Sequence, residues 1–128
     1  MKQIINTALA PAAIGPYVQA IKIGGWIYIS GCLPVVAATG NTIKGEIEAQ
    51  TKQCLINLDA ILSEAGASSS NVVKTTCFLK DMNHFSQFNQ CYADYFSGSY
   101  PARSCIEVAR LPKDVLVEIE AVAYIGRD

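Results

Sequence analysis

An arginine, a thiol and several carboxylates fall on two neighbouring apolar runs near the end of this chain. The first run is Pro101-Ala102-Arg103-Ser104-Cys105-Ile106-Glu107-Val108, and the second is Val117-Glu118-Ile119-Glu120-Ala121-Val122. Arg110-Leu111-Pro112-Lys113-Asp114 lies between them. Both runs have strand-like composition, and a strand shows alternate residues to opposite faces. Arg103, Cys105 and Glu107 therefore share a face, with Ser104, Ile106 and Val108 on the other. Likewise Glu118, Glu120 and Val122 oppose Val117, Ile119 and Ala121. A tight connection centred on Leu111-Pro112 would make the runs an antiparallel pair, with Cys105 opposite Glu118 and Arg103 close by, since opposed residues point to the same side. The sequence does not fix that register. A cation, a thiol and a carboxylate on one sheet face would form a small-anion site.

The guanidinium of Arg103 is a rigid fork of donors that matches a carboxylate through two parallel hydrogen bonds. The residues alone leave open a second reading, an ion pair with Glu107, Glu118 or Glu120. Cys105 is read as a wall of the site and not as a nucleophile: the single histidine, His84, belongs to another element, and although the neighbouring Arg103 could lower the thiol's pKa, no general base lies beside it in the sequence. His84 itself is expected to be solvated near a helix start. Gly24-Gly25 is a turn and not a phosphate loop, since no GxGxxG or Walker pattern occurs.

These residues need a scaffold, and the pattern supplies one. Lys2 to Ile5 reads as a short strand, and Asn6 to Pro16 as a long ordered loop. Val18 to Ile23 and Trp26 to Ser30 are β-rich runs joined at Gly24-Gly25, a hairpin signal. After a loop from Gly31 to Gly45, residues Glu46 to Ala65 read as a helix with an apolar stripe through Ile47, Cys54, Leu55, Leu58, Ile61, Leu62 and Ala65, stopped by Gly66. Val72 to Leu79 is a strand. Asp81 or Asn83 caps a second helix that runs to about Phe96, with Phe85, Phe88, Tyr92, Tyr95 and Phe96 as its buried stripe. The order predicts a single α+β domain over 1–128, a mixed β-sheet with two helices packed on one face. The second sheet face is too apolar for open water, which predicts a closed homo-oligomer with sites near the subunit boundaries.

Composition narrows the partners. The chain has 128 residues, a net charge of −1 and ten scattered Lys and Arg. No basic stripe suited to nucleic acid appears, so a small molecule or a protein is the expected partner. The five cysteines show no CxxC spacing and fit neither a disulfide framework nor a zinc module. They point to a reducing compartment. No apolar signal core opens the chain and no segment could span a bilayer, so a cytoplasmic protein without membrane contact is expected.

Several stretches together resemble the RidA/YjgF family of reactive-intermediate deaminases, also labelled L-PSP endoribonucleases. They are Ala10-Pro11-Ala12-Ala13-Ile14-Gly15-Pro16-Tyr17, Ser30-Gly31, Asn71-Val72-Val73-Lys74-Thr75-Thr76, Phe78-Leu79-Lys80-Asp81-Met82, Pro101-Ala102-Arg103-Ser104 and Val108-Ala109-Arg110-Leu111-Pro112-Lys113-Asp114. They cover nearly the whole chain, in order. The resemblance implies a fold like chorismate mutase of the bacterial trimeric type, and a homotrimer with clefts between subunits. It implies hydrolysis of 2-imino acids and their enamine tautomers to 2-oxo acids and ammonia, without metal or cofactor. On the matching positions, it makes Arg103 the carboxylate-binding arginine and Glu118 the residue that orients water. Tyr17, Ser30, Gly31, Asn89 and Cys105 become cleft positions. Cys32 stands where glutamine is usual after Ser-Gly, and Val18 where serine is common. Two other readings stay in view: an endoribonuclease or translation inhibitor, and a non-catalytic protein that binds small carboxylates.

Overall fold

In a computed structural model, which describes residues 1–126, the first helix α1 spans Ile47–Glu64. It buries Ile47, Cys54, Leu55, Leu58, Ile61 and Leu62 on one side. It stops where the pattern says it should. Gly66 takes φ +82°, the Gly66 N–H reaches the Ser63 carbonyl at 3.0 Å, and the Ala67 N–H reaches Leu62 at 2.8 Å. This pair of bonds closes the last turn, and the left-handed residue between helix and strand favours glycine. The second helix, α2, spans Phe85–Phe96 and is led in by a short 3₁₀ turn at Met82–His84, where Asp81 accepts the Asn83 N–H at 2.9 Å. Phe88, Tyr92 and Phe96 are buried as expected and Cys91 joins them, while Phe85 and Tyr95 are only half-buried. His84 is half-buried and not solvated, and its Nδ1 is enclosed without a hydrogen-bond partner among the described residues.

Six strands form one sheet: β1 Gln3–Ile5, β2 Ala20–Ile23, β3 Trp26–Cys32, β4 Val72–Leu79, β5 Ala102–Glu107 and β6 Val117–Tyr124, in the order β1-β2-β3-β6-β4-β5. The hairpin at Gly24-Gly25 is present, with Ile23 opposite Trp26. Both helices cover one face, over a core that includes Ile27, Leu58, Leu62, Leu79, Phe88 and Ile119. The class is α+β, single-domain and mixed, as the sequence predicts.

The pairing of the last two strands is not. β4 lies between β5 and β6, so they form no antiparallel hairpin. β5 runs parallel to β4, because α2 carries the chain back across the sheet before β5 begins, which is how parallel neighbours are connected. The segment from Val108 to Leu116 then has to pass over β4, two strand spacings or about 10 Å. Cys105 pairs with Cys77, which pairs with Ile119; Glu118 pairs with Phe78, which pairs with Ile106. Residues paired in this way share a face. Arg103, Cys105 and Glu107 therefore point to the helix side, and Glu118 and Glu120 to the other side. The expected single-face grouping of Arg103, Cys105 and Glu118 within one chain does not form.

The face away from the helices is open and mixed, with Lys74, Thr76, Glu118 and Glu120 on it beside large apolar side chains. Ile4, Ile23, Trp26, Tyr28, Ile106 and Tyr124 are all exposed on it, Trp26 by 41% and Tyr28 by 49%.

Candidate functional site

Arg103 stands on β5 beneath α2. Phe85, Phe88, Asn89 and Tyr92 follow i, i+3, i+4, i+7 spacing and so fall on one stripe of that helix. All of them reach the guanidinium. Nη1 of Arg103 donates to Asn89 Oδ1 at 2.8 Å. The guanidinium carbon lies 4.7 Å from the centre of the Tyr92 ring, 5.5 Å from Phe85 and 5.8 Å from Phe88. Aromatic faces attract cations, which helps hold the half-buried guanidinium in place.

No carboxylate pairs with Arg103 among the described residues, where the ion pair present is Arg110 with Asp114 at 2.7 Å. Glu107 is engaged elsewhere, accepting the Met82 N–H at 2.8 Å at the entry to α2. Asn89 occupies one of the five guanidinium N–H groups. Beside Arg103 opens a cleft of about 420 Å³, lined also by Asn89, Tyr92, Ala93, Tyr100 and Pro101. Cys105 follows on the same strand and face, half-buried. Burial raises its thiol above the ordinary range despite the nearby Arg103. A thiol held protonated is a poor nucleophile.

The other sequence-predicted residues gather at the far end of β3. Between Ile29, which pairs with Ala121, and Cys32, which pairs with Ile119, β3 holds one residue more than β6 does. This bulge comprises Ser30 and Gly31. Such a bulge breaks the ladder and re-aims the chain. Tyr17, Ser30 and Gly31 line a cavity of about 220 Å³ with Ile14, Cys32 and Lys113. Ser30 Oγ donates to the Val18 carbonyl at 2.7 Å, which ties the preceding loop to β3. Tyr17 is 51% exposed.

Gly31 abuts Glu118. A Cβ at position 31 would overlap the Glu118 carboxylate where it now stands, so glycine leaves the carboxylate room to sit against the main chain. Glu118 is half-buried, and its carboxyl is raised above the usual range by burial first and by the neighbouring Glu120 second. Cys32 does not face this carboxylate cluster openly. It is buried and its thiol is pushed up to about 12 by burial.

The predicted residues thus form two clusters in one chain: Arg103–Asn89–Cys105 on the helix side of the sheet, and Tyr17–Ser30–Gly31 at the end of β3, where Gly31 meets Glu118 on the opposite sheet face from Arg103. Among the described residues, no group of three or more His, Cys, Asp or Glu is placed to hold a metal ion.

Sequence reasoning missed two buried amides that shape the second cluster. Gln19 accepts the Thr7 N–H at 2.8 Å and donates to the carbonyls of Thr7, Ala10 and Pro11. Asn57 on α1 donates to the carbonyls of Leu33 and Val35 at 2.9 and 2.8 Å. These bonds pin the loops on either side of β3. The available signal was a polar residue inside an apolar pattern, which in a core must be paired.

A family model described as "Endoribonuclease L-PSP" matches residues 7–125. This chain belongs to that family, the RidA/YjgF group. A RutC family protein of Pyrococcus abyssi is 53% identical, over 96% of this chain and 97% of its own length. The 2-iminobutanoate/2-iminopropanoate deaminase of Escherichia coli is 48% identical, over 96% of this chain and 98% of its own. Among solved structures, Escherichia coli TdcF with bound serine superposes with a TM-score of 0.93 at 42% identity, covering 97% of this chain and 99% of that one.

Proposed function

We propose that this protein hydrolyses 2-imino acids, and the enamines in equilibrium with them, to 2-oxo acids and ammonia. The observation that carries the reading is Arg103: a half-buried guanidinium, held by an amide and three aromatic rings, without a carboxylate partner among the described residues and beside an open cleft. Its spare donors suit a small acid. The deaminase relative and the serine-bound relative support that choice of ligand.

The carboxylate of the substrate takes the fork of Arg103. Glu118, raised in pKa and set against the Gly31 backbone, holds a water and accepts its proton as the oxygen bonds to the C=N carbon. The imine reacts as its iminium, so the C=N electron pair passes to nitrogen and the resulting carbinolamine carries hydroxyl and amino groups on one carbon. Glu118 returns its proton to nitrogen, the C–N bond breaks to release ammonia as the hydroxyl oxygen forms C=O, and the hydroxyl proton passes back to Glu118, leaving the 2-oxo acid. No covalent enzyme intermediate is needed, which suits a thiol at Cys105 held protonated.

Arg103 and Glu118 of one chain point to opposite sides of the sheet and cannot meet on one small substrate. The reaction therefore takes Arg103, Asn89 and Cys105 from one copy and Tyr17, Gly31 and Glu118 from its neighbour. A closed homotrimer, its copies joined through the open sheet face, brings such halves together three times. The place of action is the cytoplasm.

The test couples the native protein to a threonine dehydratase and follows 2-oxobutanoate. Release faster than in buffer is expected. Arg103→Ala should reduce the acceleration by about 10³-fold, the loss of two charge-assisted hydrogen bonds. An unchanged rate in Arg103→Ala would overturn the reading.

A further inference from the structure

Three rings surround Arg103, but one of them is fixed in a way the others are not. Tyr92 lies nearest the guanidinium carbon, at 4.7 Å. Its hydroxyl is 2.6 Å from Thr75 Oγ1 in a buried hydrogen bond. Thr75 sits on β4 directly opposite Arg103 on β5, on the same face and fully buried. The ring is thus tied to the strand that carries its cation's neighbour. Asn89, one helical turn before Tyr92 in the stripe, holds Nη1 from the side.

We propose that Tyr92, locked by Thr75, is a positioning residue that aims the Arg103 fork at the substrate carboxylate. The inference rests on the reading above that Arg103 anchors a carboxylate. The guanidinium carbon is held 4.7 Å from the Tyr92 ring centre, and Asn89 holds one of its N–H groups at 2.8 Å, so two contacts restrain it. An arginine on an unrestrained stem would lose rotamer freedom each time it bound an acid; here folding has already fixed it. Tyr92 borders the cleft but is almost fully buried, and in this scheme it acts on the substrate through Arg103. Its effect appears in carboxylate affinity and hardly in the chemical step.

The ring's electrostatics separate this role from simple core packing. In a Thr75→Val background, Tyr92→Phe removes both hydroxyls together and leaves neither buried and unpaired. On that background, phenylalanine at 92 is replaced by phenylalanines with successively more ring fluorines, which keep the shape and weaken the attraction for a cation. The dissociation constant for 2-oxobutanoate is measured by calorimetry and kcat by the dehydratase-coupled assay. The constant should rise stepwise, by about tenfold at full fluorination. The unfluorinated background, in which the ring is untied from Thr75, should itself bind 2-oxobutanoate several-fold more weakly than native, and kcat should change little.

A flat series, or a fall in kcat at constant affinity, would overturn the positioning role. So would failure of the native protein to bind 2-oxobutanoate at all. A graded series in a protein that turns over no imine would keep the role and sink the deaminase reading instead.

Discussion

The two clusters are built by different means. The Arg103 cluster is built by side chains: a helical stripe of Phe85, Phe88, Asn89 and Tyr92 closes over one residue of an edge strand. The Glu118 cluster is built by backbone: a bulge at Ser30-Gly31 brings the main chain against a carboxylate, and buried Gln19 and Asn57 hold the adjoining loops by their carbonyls. A cation needs walls that tolerate its charge, which aromatic faces and an amide oxygen provide. A carboxylate that must receive a proton is better served by partial burial and a like-charged neighbour, which raise its pKa. In the proposed reaction, binding and acid–base work thus fall to two separately built clusters.

Breaking each half should give distinct signatures. Glu118→Gln should lower kcat by about 10²-fold or more while the dissociation constant for 2-oxobutanoate stays near native. The same variant tests the electrostatics through stability. A carboxyl whose folded pKa is raised contributes stability below its unfolded pKa and loses it as pH rises through the folded value. At neutral pH the ionised Glu118 therefore opposes folding, and Glu118→Gln should raise Tm in thermal unfolding. A lower Tm would remove the burial argument.

The pH profile follows the same sign. Glu118 must be ionised to accept the proton, so kcat should fall with acid along a limb above the ordinary glutamate range of about 4.3, and Glu118→Gln should flatten that limb. Gly31→Ala should push the Glu118 carboxylate aside and lower kcat by about tenfold, with affinity for the oxo acid kept. The smallest effect belongs to Cys105→Ser, where kcat/KM should stay within about threefold of native, because a protonated thiol that lines a wall makes no bond to the substrate.

Much of the fold is legible along the chain because it is local. The apolar stripe and Gly66 define α1, Asp81 and the aromatic stripe define α2, and Gly24-Gly25 defines the first hairpin. The alternation that assigns Arg103 and Cys105 to one face and Glu118 and Glu120 to the same strand side is legible too. Which faces of different strands coincide is not, since that depends on neighbours. Consecutive strands are read as partners by default, and only the return of the chain through α2 places β4 between β5 and β6. The site residues were named by family motifs, and their division into two clusters became visible only with the sheet order. The aromatic enclosure of Arg103 was hidden for a similar reason: Phe85, Phe88 and Tyr92 look like ordinary core residues until β5 is laid beneath them.

The central claim is that one copy supplies the guanidinium and another the carboxylate, and subunit mixing tests it most directly. Arg103→Ala and Glu118→Gln proteins, each nearly inactive, are denatured together and refolded at equal amounts beside separately refolded controls. Random assembly of a closed trimer should restore about a quarter of native activity, because that fraction of clefts pairs an intact Arg103 from one copy with an intact Glu118 from its neighbour. Mixed protein no more active than its two parents, with trimers formed and subunits exchanged, would contradict the shared site.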